Sequence, residues 1–220
     1  MIKIKYNEKE LEILIFISYF GVTYAEVLGT TFYKSVQGAR NKISLMKKKG
    51  LIQLVPTGLT KPRNAITLPK STKDILIDLG YAPKRNQSVI SKIQHNMLEQ
   101  ILFYHLNKLG TVTRASVWHH KNTYHAVPDL ILQTQLHSIA IEVEIHIKSN
   151  TAYKDFVRRS SNDNFDRIVY VMPNKKMLIT LANKMPTWDK LFYIDIQSII
   201  ENIKLYDKIK PYTQKELLRD

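Results

Sequence analysis

The stretch from Val127 to Lys148, VPDLILQTQLHSIAIEVEIHIK, constrains the fold more than any other part of the chain. From Ile139 onward it alternates strictly. Ile139, Ile141, Val143, Ile145 and Ile147 fall on one side, and Ala140, Glu142, Glu144, His146 and Lys148 on the other. Period-two alternation rich in β-branched residues predicts a strand. Such a strand sets two carboxylates, an imidazole and an ammonium in one row on one face. Upstream, Asp129 opens a second short apolar run, Leu130-Ile131-Leu132. With Gln135 and Leu136 at the centre of the turn, antiparallel pairing sets Asp129 opposite Glu142, their Cβ atoms about 5 Å apart. Like charges opposed in this way destabilise a bare sheet. A positive partner is therefore expected there: a divalent metal ion, Lys148, or an arginine from elsewhere.

This constellation resembles the catalytic hairpin of the PD-(D/E)xK nuclease superfamily. Pro128-Asp129 stands at the PD and Glu142 at the second acid, while Glu144 takes the place of the usual lysine. Glu142-x-Glu144 followed by Lys148 looks more like one branch of that superfamily, the replication-relaxation proteins and MobC-type relaxases of mobile elements. Members of that branch carry a winged-helix domain ahead of a nuclease-like core. The resemblance implies phosphodiester cleavage with Mg²⁺ or Mn²⁺, since divalent ions held by hard oxygen ligands neutralise phosphate charge and activate water. A nearby imidazole tilts the choice toward Mn²⁺. Asp129 and Glu142 are the implied metal ligands, joined by Glu99, an acid on the first helix of the core. Glu144 is implied as a further ligand or general base, and Lys148 as the group that orients the nucleophile or steadies the phosphate. A covalent route through a tyrosine points to Tyr153, just past the hairpin, or Tyr124, just before it. An ordinary hairpin with a solvated acidic face is the plain alternative. His119, His120 and His125 show no usable metal spacing and are expected on the surface or in loops.

The chain has 220 residues and a formal net charge of +14, which suits a polyanionic partner. Residues 1–90 hold 15 Lys and Arg against 6 Asp and Glu, so the basic excess is greatest there. The absence of cysteine excludes disulfides and thiolate zinc sites. No apolar run approaches a membrane span and no signal-peptide pattern opens the chain, so a cytoplasmic protein with no membrane partner is expected.

The first ninety residues read as a helix over Glu8–Tyr19, a short one over Tyr24–Leu28 capped by Thr23 and broken by Gly29, and a third from Lys34 or Ser35 to Lys49. Val36, Ala39, Ile43 and Met46 form the buried stripe of the third, and Gly50 caps it. Strands at Leu51–Val55 and Ala65–Leu68 flank a turn-rich tip bearing Lys61 and Arg63. Ser71 is expected to cap a fourth helix, Thr72–Leu79. This is the order of a winged helix-turn-helix. Gln37, Arg40, Asn41, Ser44 and Lys48 lie off the apolar stripe and mix base-reading with phosphate-binding types. With Lys61 and Arg63 they form the expected DNA-binding set.

Beyond a linker at 83–87, a long helix over Ser88–Leu109 precedes strands and helices in the order expected of a restriction-endonuclease-like mixed sheet. The fold expected is thus α+β: a winged helix-turn-helix over 1–82, a nuclease-like α/β domain over 88–206, and a polar, fraying tail over 207–220. The function expected is that of a DNA-processing protein of a plasmid or mobile element, binding duplex DNA and nicking or relaxing it. The alternative is a non-catalytic replication or transcription regulator with a degenerate nuclease-like domain. Expected partners are double-stranded DNA, a second copy of the chain, and relaxosome or replication proteins.

Overall fold

The computed structural model describes residues 6–84, 92–114, 127–202 and 211–218. The fold is α+β. The chain divides into two compact units, Met1–Ile101 and Leu102–Asp220, so the division runs through helix α5 (Ile93–Leu106) and not through the segment at 83–87. Within the first unit, the Lys84 N–H donates to the Ser18 carbonyl at 2.9 Å. Gln100 Nε2 donates to the Val22 carbonyl at 3.0 Å. These two bonds tie both ends of the intervening stretch to that unit. Among the described residues no helix is long and apolar enough to cross a membrane.

In the first unit α1 (Glu8–Phe20) begins at an Asn7–Glu10 capping box and ends where Gly21 turns left-handed, with φ 78°. A two-residue strand, β1 (Thr23–Tyr24), takes the place of the expected Thr23 cap, and α2 (Ala25–Thr31) follows. Gly29 does not break α2. A Cβ there would stand 2.8 Å from the Val36 Cα, so glycine is what lets α3 start against α2. Helix α3 (Val36–Lys48) is capped by the Ser35 hydroxyl and buries Ala39, Ile43 and Met46. After it Gly50, at φ 72°, lets the Leu51 N–H reach the Met46 carbonyl at 3.0 Å. Strands β2 (Gln53–Pro56) and β3 (Asn64–Thr67) pair antiparallel, and the sheet order is β1-β3-β2. Helix α4 (Lys70–Asp78) starts from Pro69, before the expected Ser71. Thr72, one residue further, donates its hydroxyl to the Leu51 carbonyl at 2.9 Å.

The second unit is built on a mixed six-stranded sheet of order β4-β5-β6-β7-β8-β9. Strands β4 (Thr111–Arg114), β5 (Leu130–Gln133) and β6 (Ser138–Val143) form an antiparallel meander. Helices α6 (Asn150–Ser160) and α7 (Lys175–Ala182) carry the crossovers to β7 (Arg167–Met172) and β8 (Leu191–Asp195), both parallel to β6. Helix α8 (Ile196–Asn202) follows β8 directly. The tail does not fray where it is described. Tyr212–Thr213 (β9) pairs with β8, and α9 (Gln214–Leu217) follows, opened by a Thr213–Glu216 capping box with Leu217 fully buried. One sheet face packs Ala140, Ile168, Tyr170 and Tyr193 against Tyr153 of α6 and Leu178 and Leu181 of α7. The other face, with Leu132, Ile141, Val169 and Val171, borders an apolar cavity of about 310 Å³.

A buried carboxylate fixes α3 in the first unit. Glu10 is fully buried, and its side chain takes the Asn7 N–H at 3.0 Å, Lys42 Nζ at 2.8 Å and Lys49 Nζ at 2.9 Å. Burial opposes its ionisation, but hydrogen bonds from Lys42, Lys49 and Asn7 outweigh that and hold its pKa at about 2. A lowered carboxylate contributes stability that is complete above its ordinary value of 4.5 and fades as pH falls toward about 2. Because both lysines keep solvent access, the loss on substitution stays below that of a wholly buried pair. Glu10→Gln should therefore cost about 1–3 kcal/mol in urea unfolding at neutral pH. The gap to wild type should narrow as pH drops from 4.5 toward about 2.

Candidate functional site

The β5–β6 turn is centred on Gln135 and Leu136. The Thr134 N–H donates to the His137 carbonyl at 2.9 Å, and the Thr134 hydroxyl accepts the His137 N–H at 2.9 Å. The ladder pairs Leu130 with Ile141, Ile131 with Ala140 and Leu132 with Ile139. Continued by one residue, that register sets Asp129 across from Glu142, as the sequence predicts. Asp129 Oδ2 accepts the Val143 N–H at 2.8 Å, so its carboxylate closes the open end of the hairpin.

Strand β6 is shorter than its alternation. It ends at Val143, where the next N–H, that of Glu144, donates to the Val171 carbonyl at 2.9 Å, and the chain bends at Ile145 and His146. The expected continuous row of Glu142, Glu144, His146 and Lys148 therefore does not exist. Ile147 packs on the core that holds Ala140, the side opposite to the one alternation assigns it. His146 is exposed. Lys148 still reaches the acids, by a turn of the chain instead of by pleating: its ammonium is ion-paired with Glu144 Oε1. The turn is held by the Lys148 N–H, which donates to the Tyr153 hydroxyl at 2.8 Å.

Glu142 and Glu144 are only 8% and 5% exposed. Burial, reinforced by the Asp129 charge and then by Glu144, pushes the Glu142 carboxyl well above the usual range, against the pull of Lys148 and Arg159. Its Oε1 is buried and has no hydrogen-bond partner among the described residues. For Lys148, burial works against the charge, but the bond to Glu144 more than offsets it and raises the ammonium pKa. Across the sheet, Glu142 aligns with Tyr170 and Tyr170 with Tyr193, whose rings stack at 6.3 Å. This aromatic wall, with Tyr153 edge-on to Tyr170 at 6.2 Å, was not legible beforehand. Its one signal is a tyrosine within the apolar run Arg167–Met172.

Tyr153 is 1% exposed, its hydroxyl is engaged with the backbone and burial pushes its pKa up. In this position the ring packs in the core and the hydroxyl holds the backbone turn. Tyr124, His119, His120 and His125 lie outside the described residues. Glu99 is 3% exposed on α5, in the part that belongs to the first unit. Among the described residues no three His, Asp or Glu side chains gather as a metal cage. Two opposed carboxylates are nonetheless a fitting protein share for Mg²⁺, which keeps several waters and takes one or two carboxylates. The unpartnered buried oxygen of Glu142 is the donor such an ion would satisfy.

In the first unit, Arg40 and Ser44 of α3 and Lys61 and Arg63 of the β2–β3 connection line one groove of about 500 Å³, together with Lys47, Asn64 and Glu26. Gln37 and Asn41 are exposed on α3 and bond each other at 3.1 Å, and Lys48 is exposed beside Lys47. None of these three lines the groove. Lys47 and Asn64 are the basic and polar members the sequence reading missed. Helical spacing from Arg40 and Ser44 was the signal for Lys47.

Compared with known proteins, the chain matches no family model, no curated protein and no solved structure.

A carboxyl with a raised pKa adds stability while protonated and loses it as pH rises. Glu142→Gln removes the ionisable group while keeping its shape. In metal-free buffer it should raise the melting temperature at neutral pH. The gain should vanish below about pH 4.5, where free carboxyls are protonated too. A melting temperature lowered at neutral pH would contradict the crowding described here.

Proposed function

We propose that this protein binds duplex DNA through its first unit and nicks or relaxes it with a divalent-metal centre in the second. The observation that carries the reading is the opposed pair Asp129 and Glu142, with Glu142 buried and one of its oxygens unpartnered among the described residues. Burying a carboxylate against a like charge costs free energy, so the arrangement calls for a functional cation. The order of helix, antiparallel meander and parallel crossovers is compatible with a nuclease-like core. Three helices followed by a hairpin, with a basic groove between α3 and that hairpin, support a winged-helix reading of the first unit.

Asp129 and Glu142 would hold Mg²⁺ or Mn²⁺. When bound, the ion supplies charge neutralisation at the phosphate and a more acidic water. The Val143 N–H fixes one Asp129 oxygen, so the carboxylate is oriented before any ligand arrives. Glu144, in the position of the usual lysine, holds the Lys148 ammonium beside the acid pair. Lys148 is 55% exposed at its side chain and keeps its charge, which suits it to meet an incoming phosphate. In this reading Glu144 is a holder of Lys148 and not the base itself.

A supercoiled-plasmid assay with Mg²⁺ or Mn²⁺ tests this. Wild type should nick. Asp129→Asn and Glu142→Gln should abolish nicking while duplex affinity survives. Undiminished nicking in both variants would remove the pair from the chemistry, and no nicking by wild type with either ion would favour the regulator reading. Duplex affinity should fall steeply with salt as counterions are released. Arg40→Ala should weaken binding by about 1–3 kcal/mol, in a sequence-dependent way, and Lys215→Ala on α9 far less.

A further inference from the structure

The groove of the first unit carries one acid among its described lining residues, Glu26 on α2. Around it stand Arg40, Lys47, Lys61 and Arg63. A carboxylate in such a place repels the phosphates that the four cations attract, so it weakens non-specific binding. It does not repay this through stability. Its partner is Arg40, with Nη2 at 3.5 Å from Glu26 Oε1, and the Arg40 side chain is 53% exposed. Exposed pairs of this kind add little to folding. What the pair does is restrict a long side chain on the exposed face of α3.

The second oxygen sharpens the point. Glu26 Oε2 is buried and has no hydrogen-bond partner among the described residues. A guanidinium has five N–H donors in a rigid fork, and a carboxylate takes two of them side by side. Oε2 is the remaining acceptor on that carboxylate for a second N–H of the Arg40 fork. A guanidinium held by two of its N–H groups keeps a further edge with two parallel donors. Two parallel donors match O6 and N7 of guanine in the major groove, the pairing for which arginine is best suited.

We propose that Glu26 is a positioning residue that holds Arg40 for guanine, so the first unit selects duplexes with a G·C pair at the position facing Arg40. The inference rests on the DNA-binding reading above and assigns its specificity. It separates two contributions to binding. The lysines and Arg63 supply charge, and the Glu26–Arg40 pair supplies the base preference.

The test is selection of bound duplexes from a randomised pool by the full-length chain, without divalent ions so that no strand is cut. Wild type, Glu26→Gln, Arg40→Lys and Arg40→Ala are compared, with affinity for a fixed duplex followed against salt. Wild type should enrich guanine about tenfold or more at one position, the range of a good bidentate contact. Arg40→Lys keeps the charge but not the fork, and should lose that enrichment with an unchanged salt slope. Glu26→Gln should lose it too while binding the fixed duplex, chosen without the preferred guanine, as tightly as wild type or more tightly, because a negative charge has gone. That retained affinity also shows that the variant is folded. Guanine enrichment intact in Glu26→Gln but lost in Arg40→Ala would overturn the role of Glu26. Duplex binding by wild type with no base preference would overturn the guanine assignment and leave DNA binding standing. Absence of duplex binding altogether would overturn both.

Discussion

The hydrogen bond from the Val143 N–H to Asp129 Oδ2 is the contact on which the second unit turns. It joins the entry of β5 to the exit of β6 and so fixes the open end of the hairpin, while Thr134 fixes the closed end. Between them the register has no freedom, and a slip of one residue would exchange the two faces of β6. With the register fixed, Glu142 must face Asp129. With α6 and α7 covering that face, Glu142 must also be buried. The crowded acid pair is therefore a consequence of the fold's central strand, and the remaining parts of the site answer to it. Lys148 is brought back by the bend after Val143, and the Tyr153 hydroxyl holds the bend.

The first unit solves a related problem in the opposite sense. One of its buried acids, Glu10, is saturated by two lysines and a cap, so its charge is stabilised and its role is to hold α3 in place. Its other partnered acid near α3, Glu26, is left half satisfied at the edge of the basic groove. A fully paired acid suits a scaffold, and an acid with an open oxygen suits a site. The same contrast separates Glu144, which is ion-paired, from Glu142, whose buried Oε1 has no hydrogen-bond partner among the described residues.

Much of this was legible in the sequence, because the signals were local. Residues such as Gln135 and Leu136, placed between two apolar runs, gave the turn and with it the Asp129–Glu142 pairing. Strands β7 and β8 coincide with Arg167–Met172 and Leu191–Asp195, two short stretches dominated by apolar and aromatic residues. What failed depended on tertiary contacts. Alternation continues to Lys148, but the strand stops at Val143, since the chain must leave the sheet to start the α6 crossover and Ser149 caps that helix. Gly29 looked like a break, yet it is a point of close approach between helices, which no single-sequence pattern distinguishes. The tail is the exception: Thr213-x-x-Glu216 ahead of Leu217 is a local capping-box signature, which the polar composition around it masks. The limit between the units falls in α5, and Gln100 of that helix bonds back to Val22, a contact 78 residues away in sequence.

The direct measurement is thermal melting of wild type and Asp129→Asn with and without Mn²⁺. An ion that binds only the ordered acid pair stabilises the folded protein by about 2.7 kcal/mol at a hundred times its dissociation constant. Mn²⁺ should raise the melting temperature of wild type and leave that of Asp129→Asn unmoved. An equal rise in both proteins, or none in wild type, would contradict the assignment of Asp129 and Glu142 as a metal centre.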